Sequence, residues 1–353
     1  MELKLNTYSG AIIGKDVWFA NNSFNGLFKM DIHTGEIHFV SIFPEEDGCY
    51  ASYKKCIAIE KKIFFFPAYA KNIQIFDTTS EKFTTIKIEM GKVDFCADAL
   101  LVGKVIYIFP ADKSKNLLRM NVDTYEISEI KEFQENIPKL GMTSSDYLLC
   151  RVSEKLGKAY FAIYKSDMIV CYNLFNNEIK TYHTEINDIF ACYIWKDKCY
   201  ITTCNTSDIY VYDFINAPSK LYGISESFSQ FRMFNNAFEY KNRLWFLPAF
   251  ASEMVAIDIN NKVYEYGKIE RKENEKVAFF GAVATDNELC ILPFDTSFSY
   301  IVDKDLSFKK AYTFELTDDK TTDLIISTLS EENGNILLEN DVLSLDNFIK
   351  YIS

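Results

Sequence analysis

The chain has 353 residues, of which 48% are hydrophobic and 16% aromatic, and its formal net charge is −12 at pH 7. This charge disfavours binding to nucleic acid, which needs clustered Lys and Arg, and docking on anionic lipid. Because Gly and Pro are few and aromatic residues are many, we expect an ordered fold rich in β-strands rather than a disordered chain.

The N-terminal stretch MELKLNTYSGAIIGKDVWFANN lacks the basic region, apolar run and small-residue cleavage site of a signal peptide. No stretch approaches the roughly 18 apolar residues of a membrane helix. The nine cysteines are scattered and odd in number, which indicates buried free thiols in a reducing compartment. We therefore expect a cytoplasmic protein without membrane association.

One pattern recurs along the chain at intervals of about 40 to 50 residues, a period typical of propeller repeats. Each copy opens on a short apolar run that leads into a polar loop. The seven copies begin in turn at Val17 (VWFANNSFNG), Ile63 (IFFFPAYAKN), Ile106 (IYIFPADKSKN), Tyr160 (YFAIYKSDM), Cys199 (CYITTCNTSD), Arg243 (RLWFLPAFASE) and Leu289 (LCILPFDTSF).

Each copy has the pattern of four strands joined by turns. The loop is followed by an alternating strand that ends in Asp or Asn, a turn and a second alternating strand, and one more strand lies upstream of the apolar run. Alternation of this kind indicates strands rather than helices. The Asp or Asn side chain is expected to accept hydrogen bonds from backbone N–H groups and so start a turn, at Asp31, Asp77, Asn121, Asn173, Asp213, Asp258 and Asp303.

Four antiparallel strands per repeat form the blade of a β-propeller, so the sequence predicts an all-β fold with one propeller domain over residues 1–353. We expect seven blades, with eight as the alternative, and repeats at approximately 8–43, 50–90, 94–133, 147–184, 189–225, 231–270 and 277–316. The strand–loop–strand rhythm resembles that of kelch-type propellers and of the central domain of galactose oxidase. This resemblance implies a fold but no function, because the Gly–Gly pair of kelch blades is absent, as is the Gly-His…Trp-Asp signature of WD40 blades.

Three segments fall outside the repeats. Residues 317–353 form either a degenerate eighth blade or a closing segment, in which SLDNFIKYI would be a short amphipathic helix capped by Ser344. Residues 1–5 alternate and are expected to supply a strand beside the last blade, because an open ring would expose two sheet edges. Residues 131–152 are expected to form an irregular insertion, either a surface loop or a loop that reaches over one face.

The sequence contains no recognisable catalytic or metal-binding motif. It has no G-x-S-x-G, P-loop or dinucleotide fingerprint, and its three histidines, His33, His38 and His183, are too dispersed for a zinc site. In DFCADA, residues 94–99, the flanking carboxylates would raise the pKa of the Cys96 thiol and disfavour a nucleophilic thiolate. We therefore expect no cofactor, no metal, and a binding role rather than catalysis.

The candidate binding residues lie in two sets of loops that share one face of a propeller and surround its central funnel. Apolar rings on loop tips mark interaction surfaces. These loops contribute Tyr69, Asp112, Tyr164, Asn205, Phe250, Phe294 and Asp295. Aromatic residues that enter the innermost strands either pack between blades or line the funnel, and they are Tyr50, Phe95, Phe190, Phe231 and Phe280 (or its neighbour Phe279). Arg232 is the cation beside the funnel entry, and it either binds a carboxylate or pairs with an acidic loop.

The sequence thus predicts a non-catalytic binding or scaffold propeller that recognises a protein or peptide partner through this loop-rich face. The alternative is an enzyme, a hydrolase or lyase that acts on a carbohydrate or another polar small molecule in the central funnel. That alternative rests on an analogy between folds. Nucleic acid and membranes are not expected as partners.

Overall fold

The computed structural model describes residues 5–21, 25–46, 53–88, 96–137, 148–223, 233–251, 253–269 and 278–313. Within these ranges the strands form seven antiparallel sheets, arranged in a ring as the blades of a β-propeller. The predicted all-β fold and the expected number of seven blades are therefore confirmed. In each blade the strands are hydrogen-bonded in the order in which they occur in the chain.

A short strand, β1 (Leu5–Asn6), precedes the first blade. Blade 1 comprises β2 (Gly10–Ile13), β3 (Asp16–Asn21), β4 (Gly26–Asp31) and β5 (Ile37–Ser41). Blade 2 comprises β6 (Tyr53–Ile59), β7 (Lys62–Pro67), β8 (Asn72–Asp77) and β9 (Lys82–Lys87). Blade 3 comprises β10 (Cys96–Val102), β11 (Val105–Pro110), β12 (Leu117–Asn121) and β13 (Ile127–Ile130).

A helix, α1 (Lys131–Asn136), separates blade 3 from blade 4, which comprises β14 (Ser153–Lys155), β15 (Lys158–Ala162), β16 (Met168–Asn173) and β17 (Ile179–His183). Blade 5 comprises β18 (Ile189–Trp195), β19 (Lys198–Thr203), β20 (Ile209–Tyr212) and β21 (Ser219–Tyr222). Blade 6 comprises β22 (Phe234–Tyr240), β23 (Arg243–Pro248), β24 (Glu253–Asp258) and β25 (Val263–Lys268). Blade 7 comprises β26 (Ala278–Ala284), β27 (Glu288–Thr296), β28 (Phe298–Asp303) and β29 (Phe308–Thr313).

The first strand of each blade is the innermost strand, and these strands contact one another around the ring; β2, for example, contacts both β6 and β26. Together they enclose the central channel. Their first residues pair with the last residues of the second strands, as Tyr53 does with Pro67. The inner strands therefore begin at the face that carries the polar loops, which we call the loop-rich face.

A hydrophobic core lies between each pair of neighbouring blades, and the described residues contain seven such clusters. Successive side chains of a strand point to opposite faces of its sheet. In β7, Phe65 accordingly packs towards blade 1, whereas Phe64 and Phe66 pack towards blade 3. Because both faces of a blade are buried, its second strand is a continuous apolar run rather than an alternating one.

The ring is closed by contacts between blades 1 and 7. Strand β1 pairs with β27, with Leu5 opposite Thr296 and Asn6 opposite Phe294. The Leu5 side chain is fully buried, in the same core as Phe19 of blade 1 and Leu292 of blade 7. The strand expected from the alternation of residues 1–5 is thus present at Leu5, and residues 1–4 lie outside the described ranges.

The repeated Asp or Asn has the predicted role in all seven turns. In blade 4, Asn173 Oδ1 accepts hydrogen bonds from the backbone N–H groups of Phe175, at 2.9 Å, and Asn176, at 3.4 Å. Equivalent bonds form at the other six positions, Asp31, Asp77, Asn121, Asp213, Asp258 and Asp303. These turns lie at the end of the blades opposite the loop-rich face.

The insertion after blade 3 is not wholly irregular, because it begins with α1. Phe133 of this helix is fully buried in the core between blades 3 and 4, with its ring centroid 6.0 Å from those of Phe109 and Phe161. Gln134 donates a hydrogen bond to Ser114 O, at 2.7 Å, in a loop of blade 3. No helix within the described residues is both long enough and apolar enough to cross a membrane.

The proposed eighth blade and the helix expected after Ser344 both concern residues 317–353, which lie outside the described ranges.

Candidate functional site

The inner strands of five blades, counted within the described residues, carry an irregularity of register close to their first residue. It falls between Tyr53 and Lys55, Cys96 and Asp98, Ile189 and Ala191, Phe234 and Asn236, and Ala278 and Gly281. Such a β-bulge adds a residue to one strand and re-aims the side chains around it. The extra residues include Lys54, Asn235 and Phe280, which recur in the contacts described next.

Three aromatic rings meet where blades 7, 1 and 2 adjoin at the loop-rich end of the channel. The ring centroid of Tyr8 lies 5.2 Å from that of Phe280 and 5.1 Å from that of Phe294, and the two Phe centroids are 4.2 Å apart. Lys54 Nζ lies 4.4 Å from the Tyr8 centroid and 5.9 Å from the Phe280 centroid. The three rings are partly exposed. We call these four residues the mouth cluster.

A buried carboxylate lies next to the mouth cluster on the inner strand of blade 3. Asp98 is only 4% exposed, and its Oδ1 lies 3.1 Å from Lys55 Nζ of blade 2. Its Oδ2 accepts a hydrogen bond, 3.1 Å long, from the N–H of Val152 of blade 4. Burial by itself would raise the pKa of Asp98, but the charges of Lys55 and Arg151 and the bond from Val152 outweigh it and lower the pKa.

Arg151 enters the same region from the segment that precedes blade 4. It is 6% exposed, its Nε donates to Asn235 O of blade 6 at 3.3 Å, and its Nη1 donates to Cys150 O at 3.5 Å. Asn235 is 1% exposed, and within the described residues neither its Nδ2 nor its Oδ1 has a hydrogen-bond partner. A buried guanidinium is therefore bonded to the backbone of a residue whose own side-chain amide is unsatisfied.

Further polar contacts connect the inner strands around the channel. The N–H of Cys56 of blade 2 donates to Ser9 Oγ of blade 1 at 3.3 Å, and Asn236 Nδ2 of blade 6 donates to Phe280 O of blade 7 at 3.1 Å. Ser153 Oγ of blade 4 donates to Cys192 O of blade 5 at 3.3 Å. Hydrogen bonds thus join neighbouring inner strands, and one of them ties the backbone of Phe280, a mouth-cluster residue, to blade 6.

The structure brings the predicted residues Phe280 and Phe294 together in the mouth cluster. Tyr69 lies on a loop tip and is 57% exposed. Phe250 and Tyr164 pack against the core between blades 5 and 6, and Phe190, 2% exposed, is part of that core. For Phe190 this burial favours packing between blades, one of the two interpretations of the inner-strand aromatics.

The predicted polar residues that lie within the described ranges form hydrogen bonds that order their own loops. Asp112 Oδ1 accepts a hydrogen bond from the N–H of Ser114 at 2.7 Å. Asn205 Nδ2 donates to Asp188 Oδ2 at 3.2 Å, beside a surface groove of about 350 Å³ between the blade 4–5 connection and blade 5. Tyr50, Phe95, Phe231 and Arg232 lie outside the described residues, as does the side chain of Asp295.

Sequence reasoning missed Tyr8, Lys54, Asp98, Arg151 and Asn235. A signal existed for two of these residues. Lys54 belongs to a pair of lysines inside a strand that should be buried, SYKKCIAIEKK, and Arg151 follows the apolar residues LLC. A cation in such a position needs a specific environment, because burying a charge is costly. No feature of the sequence identifies Asn235, because its position depends on the β-bulge in β22.

The thiol and imidazole groups offer no second site within the described residues. Burial raises the pKa of Cys96, and Asp98 raises it further, in agreement with the argument from DFCADA. His183 Nδ1 lies 3.0 Å from Asp167, His38 Nε2 lies 3.4 Å from Glu36, and His33 Nδ1 lies 3.8 Å from Glu288. No group of three or more His, Cys, Asp or Glu in the described part of the chain could hold a metal ion.

No protein-family model matches the chain, and no curated protein sequence matches it. Several solved structures have a similar fold. Virginiamycin B lyase from Staphylococcus aureus is 13% identical with a TM-score of 0.61, over 84% of this chain and 96% of the lyase. YCF48 bound to D1 peptide is 7% identical with a TM-score of 0.61, over 84% of this chain and 93% of YCF48. BamB from Moraxella catarrhalis is 12% identical with a TM-score of 0.50, over 81% of this chain and 79% of BamB. At these identities the likeness shows the propeller fold alone.

Proposed function

We propose that this protein is a non-catalytic binding propeller that recognises a protein or peptide partner at the loop-rich end of its channel. The observation that carries the proposal is the mouth cluster, in which Tyr8, Phe280 and Phe294 are partly exposed beside Lys54. Aromatic side chains supply large contact areas and are enriched among the residues that dominate binding energy.

The cluster is also organised before a partner arrives. The rings pack on one another, and the backbone of Phe280 is tied to blade 6 by Asn236. Binding to fixed side chains avoids the cost of about 0.5–1.5 kcal/mol for each flexible side chain that a partner would otherwise immobilise. This rigidity supports a recognition surface more than a loop that adapts to its ligand.

The enzymatic alternative has weaker support. A general acid or base works best with a pKa near the operating pH. Asp98 is the more deeply buried of the two buried carboxylates among the described residues, the other being Glu46, and its pKa is lowered while Lys55 and Val152 occupy its two oxygens. These properties favour a structural carboxylate over a proton-transfer group.

The comparisons do not separate a binding role from a lyase role, because YCF48 bound to D1 peptide and virginiamycin B lyase both share the fold. The kelch-like relationship and the cytoplasmic location remain proposals. The free thiols support the second of these, since the buried residues Cys192 and Cys199 form no disulfide.

The test is capture of partners from native lysate, with identification by mass spectrometry. The bait is the full chain, compared with a Tyr8→Ala, Phe294→Ala double variant. Phe175→Ala is the matched control, because Phe175 is 73% exposed on a turn at the opposite end of blade 4. A protein captured by wild type and by the control, but lost by a double variant with a normal melting curve, would support the proposal. Equal capture by all three baits would overturn it.

A further inference from the structure

We propose that the loop-rich end of the channel binds the C-terminal carboxylate of a peptide chain, with Arg151 as the anion-binding group and Asn235 as the partner of the adjoining amide. The inference rests on the proposed function only for the origin of the ligand. The carboxylate site itself stands on the geometry of Arg151 and Asn235.

Arg151 carries a buried positive charge. The guanidinium is 6% exposed, and its two hydrogen bonds go to the neutral carbonyl oxygens of Asn235 and Cys150. Among the described residues no carboxylate oxygen lies within 4.0 Å of it, and Asp98 is paired with Lys55 instead. Asp98 acts on Arg151 through its charge and not through a direct hydrogen bond, so an external carboxylate would supply the hydrogen-bonded anion that this buried cation lacks among the described residues.

The guanidinium of Arg151 has N–H donors that its two hydrogen bonds do not use. The bonds to Asn235 O and Cys150 O use Nε and Nη1, so Nη2 of Arg151 has no acceptor in the described part of the chain. The fork of a guanidinium donates two parallel N–H bonds to a carboxylate, which makes arginine specific for planar anions. The neighbouring Asp98 carboxylate repels a dianion more strongly than a monoanion, which favours a carboxylate over a phosphate.

The side chain of Asn235 indicates which class of carboxylate would bind. Asn235 leaves one donor, Nδ2, and one acceptor, Oδ1, without partners among the described residues. A simple acid anion can only accept hydrogen bonds, whereas the last residue of a peptide offers a carboxylate, an amide N–H and the preceding carbonyl. Such a ligand satisfies both atoms of Asn235 as well as Arg151.

The positions of Arg151 and Asn235 in the ring limit how a ligand can reach them. Arg151 and Asn235 come from blades 4 and 6, and the mouth cluster comes from blades 7, 1 and 2. The site is therefore surrounded by inner strands. A chain end can enter such a site from the mouth, whereas an internal segment would have to enter and leave through the same opening.

The test uses the full chain labelled with ¹⁵N-arginine, because the sequence contains only five arginines and so gives five side-chain Nε–H signals. The probes are N-acetyl-trialanine with a free carboxylate, the same peptide as its C-terminal amide, and sodium acetate. We expect one signal, assigned with an Arg151→Gln variant, to shift with the free-acid peptide. Binding of acetate and of the amide should each be at least about tenfold weaker.

Two variants separate the parts of the site. Asn235→Leu should weaken binding of the free-acid peptide but leave binding of acetate unchanged. Arg119→Gln is the charge-matched control, because Arg119 is exposed on blade 3 and its Nε donates to Ser128 Oγ. This variant should bind the peptide as tightly as wild type does. If Arg151→Gln does not fold, the titration of wild type with the three probes still decides the matter.

Absence of any arginine shift with the free-acid peptide would overturn the inference. Equal binding of acetate and peptide would overturn the assignment to a peptide terminus and indicate a free acid instead. The outcome of this titration does not depend on the outcome of the lysate capture. A partner that is lost by the Tyr8→Ala, Phe294→Ala variant but retained by Arg151→Gln would preserve the proposed function and remove this inference.

Discussion

Arg151 Nε donates to the backbone oxygen of Asn235 over 3.3 Å, and this bond joins blade 4 to blade 6 without passing through blade 5. Neighbouring blades are held together by hydrophobic cores, but a contact between non-neighbouring blades requires side chains that meet at the channel. The bond therefore marks the place where the ring brings distant parts of the chain together. The same end of the channel carries the mouth cluster.

The buried pair of Asp98 and Lys55 should matter for stability. We expect Asp98→Asn to lower the free energy of unfolding at pH 7 by about 3–5 kcal/mol, because it leaves a partly buried ammonium group without its carboxylate. Urea unfolding would measure this. Asp123→Asn removes an exposed carboxylate, 2.7 Å from Lys104, and should change little. An equal effect of both variants would contradict the prediction.

The same pair should give stability a pH dependence. The pKa of Asp98 is lower in the folded protein than in the unfolded chain, so its contribution is present above the unfolded value of about 4 and is lost as pH falls through the folded value. Unfolding free energies of wild type and Asp98→Asn, measured from pH 7 downwards, should therefore converge in acid. A constant difference between the two would show that the carboxylate charge is not responsible.

Closure of the ring by β1 can be tested with one leucine. Leu5 is fully buried between blades 1 and 7, and we expect Leu5→Ala to cost about 2–5 kcal/mol of unfolding free energy through lost burial and a cavity. Leu156 is 86% exposed, so the same substitution there should cost less than about 0.5 kcal/mol. Denaturant melts of the two variants compare them directly, and equal midpoints would mean that β1 does not close the ring.

The turn at Asn173 gives a prediction about local hydrogen bonding. Asn173→Ala removes the acceptor of the N–H groups of Phe175 and Asn176 and should cost about 1 kcal/mol. Asn173→Asp retains an acceptor and should restore most of the loss, since five of the other six turns use Asp. Thermal melts of both variants test the turn. Failure of the aspartate to rescue stability would rule out the acceptor role.

The cysteines should react in an order set by burial. Burial raises the pKa of Cys56 to about 11 and that of Cys290 to about 12, so at pH 8 very little thiolate is present at either residue. Cys150 is only partly buried. Iodoacetamide labelling, mapped by mass spectrometry, should therefore modify Cys150 before Cys56 and Cys290 in the native protein, and these two only after unfolding. Early labelling of Cys56 would contradict the burial of this strand.

The sequence predicts the parts of this fold that depend on local pattern. The turn at Asn173 is predictable because its hydrogen bonds span two and three residues, and the apolar run at Phe64 predicts a strand buried on both faces. Asn235 could not be predicted as a site residue, because its position follows from a bulge whose register is set by pairing with β23. Arg151 lies at the end of an insertion, where no repeat position indicates which residue faces the channel.

The aromatic residues show the same limit. Phe190 and Phe280 occupy similar positions at the start of an inner strand, and both were candidates for packing or for lining the funnel. The structure places Phe190 in a core and Phe280 in the mouth cluster. The difference comes from Tyr8 and Phe294, which contact Phe280 only after the ring has closed.

The most direct test of the account is hydrogen–deuterium exchange of the protein alone and in complex with the partner captured from lysate. Binding at the mouth cluster predicts slower exchange in the complex for the amides at the start of β6 and β26 and at the end of β27. Exchange at the turns after Asn173 and Asp213, at the opposite end, should not change. Protection confined to those turns or to the outermost strands would contradict the proposed binding surface.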